Sequence, residues 1–371
     1  MYALDEISSN PDIFLDSVRM RAPFKPLYVK LKIVFGCNLK CEMCNHWRET
    51  REAPLVMERF TEIISELALL GCRKIHLSGG EPLLRAGVPE LVAHASALGI
   101  RPTMTTNGTL VDKGIAKALV QAGLRGVNIS LDSQERKVHE TVRGVDGAWK
   151  KTVKAVRLFA RYAHKGKLTV RINTVVSPLN FKGLAGLPDF VAGLGADELN
   201  LIAVDDHCGE HLSLSRGQID HYNADIAPLV AARALELGLI HDENGAYPFG
   251  RDPIDVKRSR RGEYAYGWYD RHPCYAPWTH ALVDYNGLVY LCCMTREQIP
   301  PLGDLKTQSF SDTWQGAGFA WARGMMHPPR LKPCRRCDDF IAQNQFFWEV
   351  EQGTAPAGRP TPAPPDWDEL S

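Results

Sequence analysis

The sequence predicts an α/β fold: a partial (βα)6 parallel barrel, followed by a small C-terminal domain of one β-hairpin and short helices. Three observations carry this. Six short apolar runs alternate with longer helix-period segments, and βα repetition of this kind implies parallel strands with helices outside. Six units fall short of the eight that a closed barrel uses. Late in the chain, alternating apolar positions over 279–292 flank Asn286-Gly287, a pair that favours a type I′ hairpin turn.

The expected strands are Tyr28–Phe35, Lys74–Ser78, Arg101–Thr105, Gly126–Leu131, Leu168–Val176 and Glu198–Val204. Helices are expected at Met57–Leu70, Val88–Ala97, Val111–Ala122, Ala148–Ala163 and Leu184–Gly193. An N-terminal extension (1–27) precedes the barrel (28–212). A connector (213–272) begins with a helix near Ser215–Gly238 and then loses periodicity. The hairpin domain occupies 273–345. The tail (346–371) is Pro-rich, and disorder is expected from Gly353. In parallel βα folds the chemistry sits at the C-terminal strand ends.

Composition excludes several classes. Hydrophobic residues make up 44% of 371, enough for a substantial core. A net charge of +1 gives no global field favouring nucleic acid or a membrane surface. No run is long and apolar enough to span a bilayer, and the polar start MYALDEISSNPD is no signal peptide. A cytoplasmic protein is expected. There, cysteines bind metal or do chemistry more often than they form disulfides, and this chain has ten.

Three of them, Cys37, Cys41 and Cys44, lie in VFGCNLKCEMC, directly after the first strand. Zinc usually takes four protein ligands, so a zinc site here would need a fourth, such as His46. Three thiolates also suit a 4Fe–4S cluster with one iron open to an exogenous ligand.

Motifs at the later strand ends narrow the choice. The CxxxCxxC loop, HLSGGEP with Gly79, Gly80 and Glu81, TTNGT (Thr105–Thr109), NISLDS (Asn128–Ser133) and HETVRG (His139–Gly144) together resemble the radical S-adenosylmethionine (SAM) superfamily over residues 28–204. The resemblance implies a cluster on Cys37, Cys41 and Cys44 whose open iron takes the amino and carboxylate groups of SAM. One electron then splits the C5′–S bond and yields a 5′-deoxyadenosyl radical that abstracts hydrogen from substrate. It implies that Glu81 accepts from the methionine ammonium, Ser130 touches the ribose, and Arg143 faces the SAM carboxylate. A surface salt bridge is the alternative for Arg143. Gly79 and Gly80 would let backbone approach the ligand. Met43 stands where many members have an aromatic residue and can pack on adenine through its sulfur. An electron donor such as flavodoxin or ferredoxin is implied.

Five cysteines come late: Cys274, Cys292, Cys293, Cys334 and Cys337. A hairpin plus a distant CxxC can present four thiolates to zinc or to iron–sulfur. Cys-x12-Gly-x4-Cys, LGDL and then CxxC resemble the SPASM/twitch extension. That resemblance implies a second, auxiliary 4Fe–4S cluster on Cys274, Cys292, Cys334 and Cys337, with Cys293 spare. A fully ligated cluster serves electron transfer. Cys72 is expected in the core.

Substrate contacts are expected from AVDDHCGEH, where Asp206 is a candidate base and Cys208 a candidate hydrogen donor at the catalytic rim. KRSRRGEYAYGWY carries four basic and four aromatic side chains just before Cys274; it reads as an anionic-substrate or peptide clamp, or as a solvated loop. The leading reading is oxidation of a small polar metabolite. The alternatives are a peptide-modifying maturase, or an epimerase using Cys208.

Overall fold

A computed structural model describes residues 6–7, 11–49, 51–163, 167–205 and 212–354. One nine-stranded sheet organises them, in the order β6-β5-β4-β3-β2-β1-β7-β8-β9. Its strands are β1 (Tyr28–Val34), β2 (Lys74–Gly79), β3 (Arg101–Thr106), β4 (Gly126–Ser130), β5 (Thr169–Val176), β6 (Glu198–Ala203), β7 (His280–Val283), β8 (Leu288–Tyr290) and β9 (Gly303–Asp304). From β6 through β1 to β7 every pairing is parallel. The six predicted barrel strands are all present, and the sheet is open.

The layers follow from alternation. Along β1, Val29, Leu31 and Ile33 are fully buried, whereas Tyr28, Lys30 and Lys32 between them are only partly buried. The buried set meets the outer helices. Helix Met57–Leu69 turns Phe60, Ile63, Ile64 and Leu67 inward, the three-to-four spacing of a core-facing stripe. Burying such a side chain contributes roughly 1.5–3 kcal/mol. Asp112 caps helix Lys113–Gln121 by accepting from the Ile115 N–H at 2.8 Å. The connector helix opens on a capping box, Ser215 with Gln218.

The C-terminal part departs from the prediction in instructive ways. The hairpin exists, but its turn is different. Gly287 takes φ +90° while Asn286 stays out of the left-handed region, and a type I′ turn needs both there. The Gly287 N–H donates to Asp284 O at 2.9 Å, so the turn is of type I followed by a left-handed glycine. Nor is the hairpin separate from the barrel: β7 pairs in parallel with β1, Tyr28 opposite His280. Periodicity cannot show such a long-range partner.

An early and a late helix pack onto this part. Helix Pro11–Arg19 brings Phe14 within 5.2 Å of Phe347 and 5.8 Å of Tyr275, centroid to centroid. The Trp278 indole donates to Ser17 O at 3.1 Å. Helix Ile341–Glu351 runs past residue 345, beyond which the sequence suggests only a tail, and buries Phe347 and Val350. No helix among the described residues is long and apolar enough to cross a membrane.

Candidate functional site

The cysteines fall into two sets, one on a single loop and one drawn from distant segments. The first rides on the loop that follows β1. Cys41 is buried; Cys37 and Cys44 are half-buried. The loop is pinned from below by the end of helix Arg136–Arg143: the Lys40 N–H donates to Arg143 O at 3.1 Å and the Glu42 N–H to Val142 O at 3.3 Å. The approach is close enough that a Cβ on Gly144 would fall 2.3 Å from Lys40 O. The Trp47 indole ties down Cys41 O at 2.9 Å, and His46 Nδ1 lies 3.1 Å from Cys44 Sγ.

Gly79 and Gly80 serve the same loop. A Cβ at Gly79 would sit 2.1 Å from Val34 O, and one at Gly80 2.0 Å from Gly36 O. Their close neighbour is therefore protein backbone, the root of the cysteine loop, where the sequence had suggested a ligand. The Glu81 N–H donates to Gly36 O at 3.0 Å and continues that seam. The Glu81 carboxylate is buried and accepts from Thr106 Oγ1 and the Asn107 N–H, both at 2.7 Å, and from the Leu83 N–H at 3.1 Å. A carboxylate offers about four acceptor sites, so three bonds leave room for a further donor. Burial raises its pKa, against the pull of these donors.

Arg143 is not on the surface. Its Nε and Nη2 bind Asp132 at 2.6 and 2.9 Å, and Nη1 points at Cys41 Sγ, 3.7 Å away. Asp132 is fully buried and also accepts from the Val175 N–H at 3.2 Å. Burial opposes the Arg143 charge, and Asp132 and Cys41 together outweigh it. Burial pushes Cys37 up to about 11; it raises Cys41 as well, with Arg143 working the other way. Ser130 is half-buried at the end of β4, opposite Asn173 of β5.

The second set converges from distant segments. Cys274, Cys292, Cys334 and Cys337 line one small apolar pocket with Tyr269, Ala276, Leu291, Met294 and Phe340. Cys293 is not on its wall. Burial, then neighbouring cysteines, pushes Cys274, Cys292 and Cys334 up to about 12 and Cys337 well above its usual value. Four thiols in one apolar pocket thus resist ionising together; a cationic iron cluster is what lets them do so, and the donor set fits one. Among the described residues, no three His, Cys, Asp or Glu side chains close on a single point as ligands of one ion would.

Two residues that spacing could not reveal complete this pocket. Asn344 is buried and touches three partners: its Oδ1 accepts from the Tyr275 N–H at 2.7 Å, and its Nδ2 faces Tyr269 OH at 2.7 Å and Cys274 Sγ at 3.7 Å. Tyr269 OH in turn lies 3.8 Å from Cys337 Sγ. Tyr269 and Tyr264 are therefore buried structural groups, and Tyr264 donates to Val204 O at 2.8 Å. Neither the clamp nor the solvated loop describes them. Around the first site, Asp132 and Asn107 were visible only as letters inside longer motifs. Cys72 is buried in the core, as expected. Asp206 and Cys208 lie outside the described residues.

Comparison with known proteins now decides the family. A model of the radical SAM superfamily matches residues 31–185, and one of the SPASM iron–sulfur cluster-binding domain matches 274–338. The chain is a radical SAM enzyme with a SPASM domain. Both domains imply 4Fe–4S clusters, with SAM as co-substrate. This radical SAM chain is 26% identical over 318 residues to a PqqA peptide cyclase of Granulibacter bethesdensis, covering 84% of the chain and 80% of that protein. It is 30% identical over 174 residues to an AdoMet-dependent heme synthase of Methanosarcina barkeri, spanning 46% of the chain and about half of that protein (48%). In fold it is similar to SuiB of Streptococcus suis bound to its precursor peptide SuiA, with TM-score 0.64, 16% identity, and 92% and 78% of the two chains covered.

Proposed function

We propose that this radical SAM enzyme modifies a peptide. One observation carries the reading: the match to a PqqA peptide cyclase runs through most of both chains, whereas the heme synthase match covers about half of each. The fold shared with a peptide-bound SuiB points the same way. Oxidation of a small metabolite, which the sequence alone favoured, has no comparable support.

In this reading Cys37, Cys41 and Cys44 hold the cluster that binds SAM, and Cys274, Cys292, Cys334 and Cys337 hold the auxiliary one. When bound, they would supply the electron that reduces SAM and a route for the departing electron. The chain's own groups do the positioning. Glu81 offers its remaining acceptor site to the SAM ammonium. Arg143, locked by Asp132, directs positive charge at Cys41 and so favours the thiolate. Gly79 and Gly80 keep the Glu81 seam against the loop root. Ser130 stands at the strand end expected for ribose contact, and Asp206 and Cys208 stay candidates for proton and hydrogen transfer. A flavodoxin or ferredoxin is the expected electron source.

The test is co-production with short peptides encoded beside the gene, followed by mass spectrometry. A SAM-dependent product lighter by two hydrogens, or otherwise altered, is expected. A failure of every such peptide, with turnover of a small polar metabolite instead, would restore metabolite oxidation as the function.

A further inference from the structure

The inner face of the barrel is unlike that of a closed (βα)8 barrel, whose interior is filled by branched apolar side chains. Here the inward positions include Lys30, Lys32, His76, Thr105 and Asn128. Nearly all of these have protein partners. His76 lies between Thr103 Oγ1 and Thr105 Oγ1, each at 2.8 Å. Lys30 Nζ reaches Asp339 and Cys293 Sγ, both at 3.2 Å. Lys32 is the exception: among the described residues no hydrogen bond or ion pair ends on its ammonium.

Its position gives the exception a meaning. Lys32 is paired in register with Ser78, the residue before Gly79, so it stands one step inside the strand ends that carry the SAM motif. The charged or ionisable groups that act on it are Arg296, Cys293, Asp284 and, from its own strand, Lys30. Cys293 adjoins the auxiliary ligand Cys292. Asp284 is already neutralised, with Arg296 Nε at 2.6 Å, and Lys30 is held by Asp339. Lys32 thus presents a positive charge to the interior between the two cysteine sites, and among the described residues no carboxylate forms an ion pair with it. Burial and the nearby Arg296 both push its pKa down, as expected for an ammonium that has lost water without gaining an anion.

We propose that Lys32 seats a carboxylate of the substrate inside the barrel, between the two cysteine sites. The occupant it fits is the acidic side chain of a peptide; that part rests on the peptide-modifying function. A lysine–carboxylate pair in such a setting is short and charge-assisted, and discriminates against the neutral amide by roughly 10–100-fold.

The test uses the full chain, reconstituted anaerobically with both clusters and loaded with SAM. The probes are acetyl-Gly-Glu-Gly-amide, its Gln counterpart and free glutarate, with binding read from NMR line broadening. The Glu peptide should bind about 10–100-fold more tightly than the Gln peptide. Lys32→Met should erase that difference while both clusters keep their iron, and Lys32→Arg should retain most of it. Equal binding of the two peptides to wild type removes the carboxylate seat but leaves the peptide reading standing. Lys32-dependent binding of glutarate with neither peptide bound supports the seat and removes the peptide reading. A Glu preference that survives in Lys32→Met, or no binding of any probe, overturns the proposal. The wild-type comparison stands even if a variant fails to fold.

Discussion

The early cysteines share one loop of eight residues, and the late four arrive from three separate segments. The early loop is held as one piece by close backbone contacts: Gly36, Gly80 and the end of helix Arg136–Arg143 fix it in place. The late pocket exists only once the hairpin, the CxxC turn and helix Ile341–Glu351 have packed together. A site written on one loop can lose its ligands and keep its fold. A site written across a core is part of that core's stability. Mutating each set separates these two cases.

The largest expected effect is on the late pocket. Replacing Cys274 and Cys334 together by Ala should remove the auxiliary iron and lower the denaturation midpoint sharply, since a cluster that ties three segments contributes folding free energy. Replacing Cys37, Cys41 and Cys44 together should remove about half the iron and leave the midpoint nearly unchanged. Anaerobic iron analysis with guanidinium melts reads both. Equal destabilisation by the two sets would erase the contrast.

Asp132→Ala should come next. It leaves Arg143 charged, buried and unpaired, at a cost of about 3–5 kcal/mol. Guanidinium unfolding measures it, and a loss under about 1 kcal/mol would mean that water reaches Arg143. This would be the early site's one deep dependence on the core.

Glu81→Gln should weaken SAM binding by roughly ten- to a hundredfold without loss of iron, the effect of one charge-assisted hydrogen bond. A pH effect accompanies it. Burial raises the Glu81 pKa, so as pH falls the carboxylate protonates at less acidic pH than an ordinary Glu and loses the charge that binds an ammonium strongly. SAM affinity of the wild type should therefore drop on mild acidification, and that of Glu81→Gln should not. An identical pH profile in the two proteins would place Glu81 outside the SAM site.

The smallest effect is a change of potential. Asn344→Leu removes the amide that faces Cys274 Sγ. Hydrogen bonds to ligating sulfur tune cluster potentials, and losing one should make the auxiliary cluster harder to reduce while the SAM-binding cluster is untouched. Redox titration followed by electron paramagnetic resonance distinguishes the two. An unshifted auxiliary potential would reduce Asn344 to packing.

The same contrast explains what could be read in advance. Strand β1 alternates apolar and polar residues one by one, and helix Met57–Leu69 repeats them every three to four, so both were legible. The early loop was legible because its ligands are neighbours in sequence. The late four cysteines could be grouped, but their pocket depends on Asn344 and Tyr269, whose partners lie 68 to 75 residues away. Arg143 read as a surface or ligand contact because nothing local says that Asp132, eleven residues earlier, will meet it underground. The hairpin turn misled because Asn-Gly permits a type I′ turn without requiring one. Asp284, which accepts the Gly287 N–H, and the left-handed Gly287 alone satisfy this turn.

The parallel pairing of β1 with β7 has a final consequence, for the way this molecule can be divided. The boundary between the two family matches does not coincide with any edge of the sheet. A chain stopped after β6 would strip Tyr28–Leu31 of β1 of their β7 partners and leave that strand as a bare edge. Open edges of that length recruit other strands. The barrel half by itself should therefore form aggregates, and the small C-terminal half should lack the template on which its hairpin lies. The two family models match separate stretches of the chain, yet a single sheet runs through both.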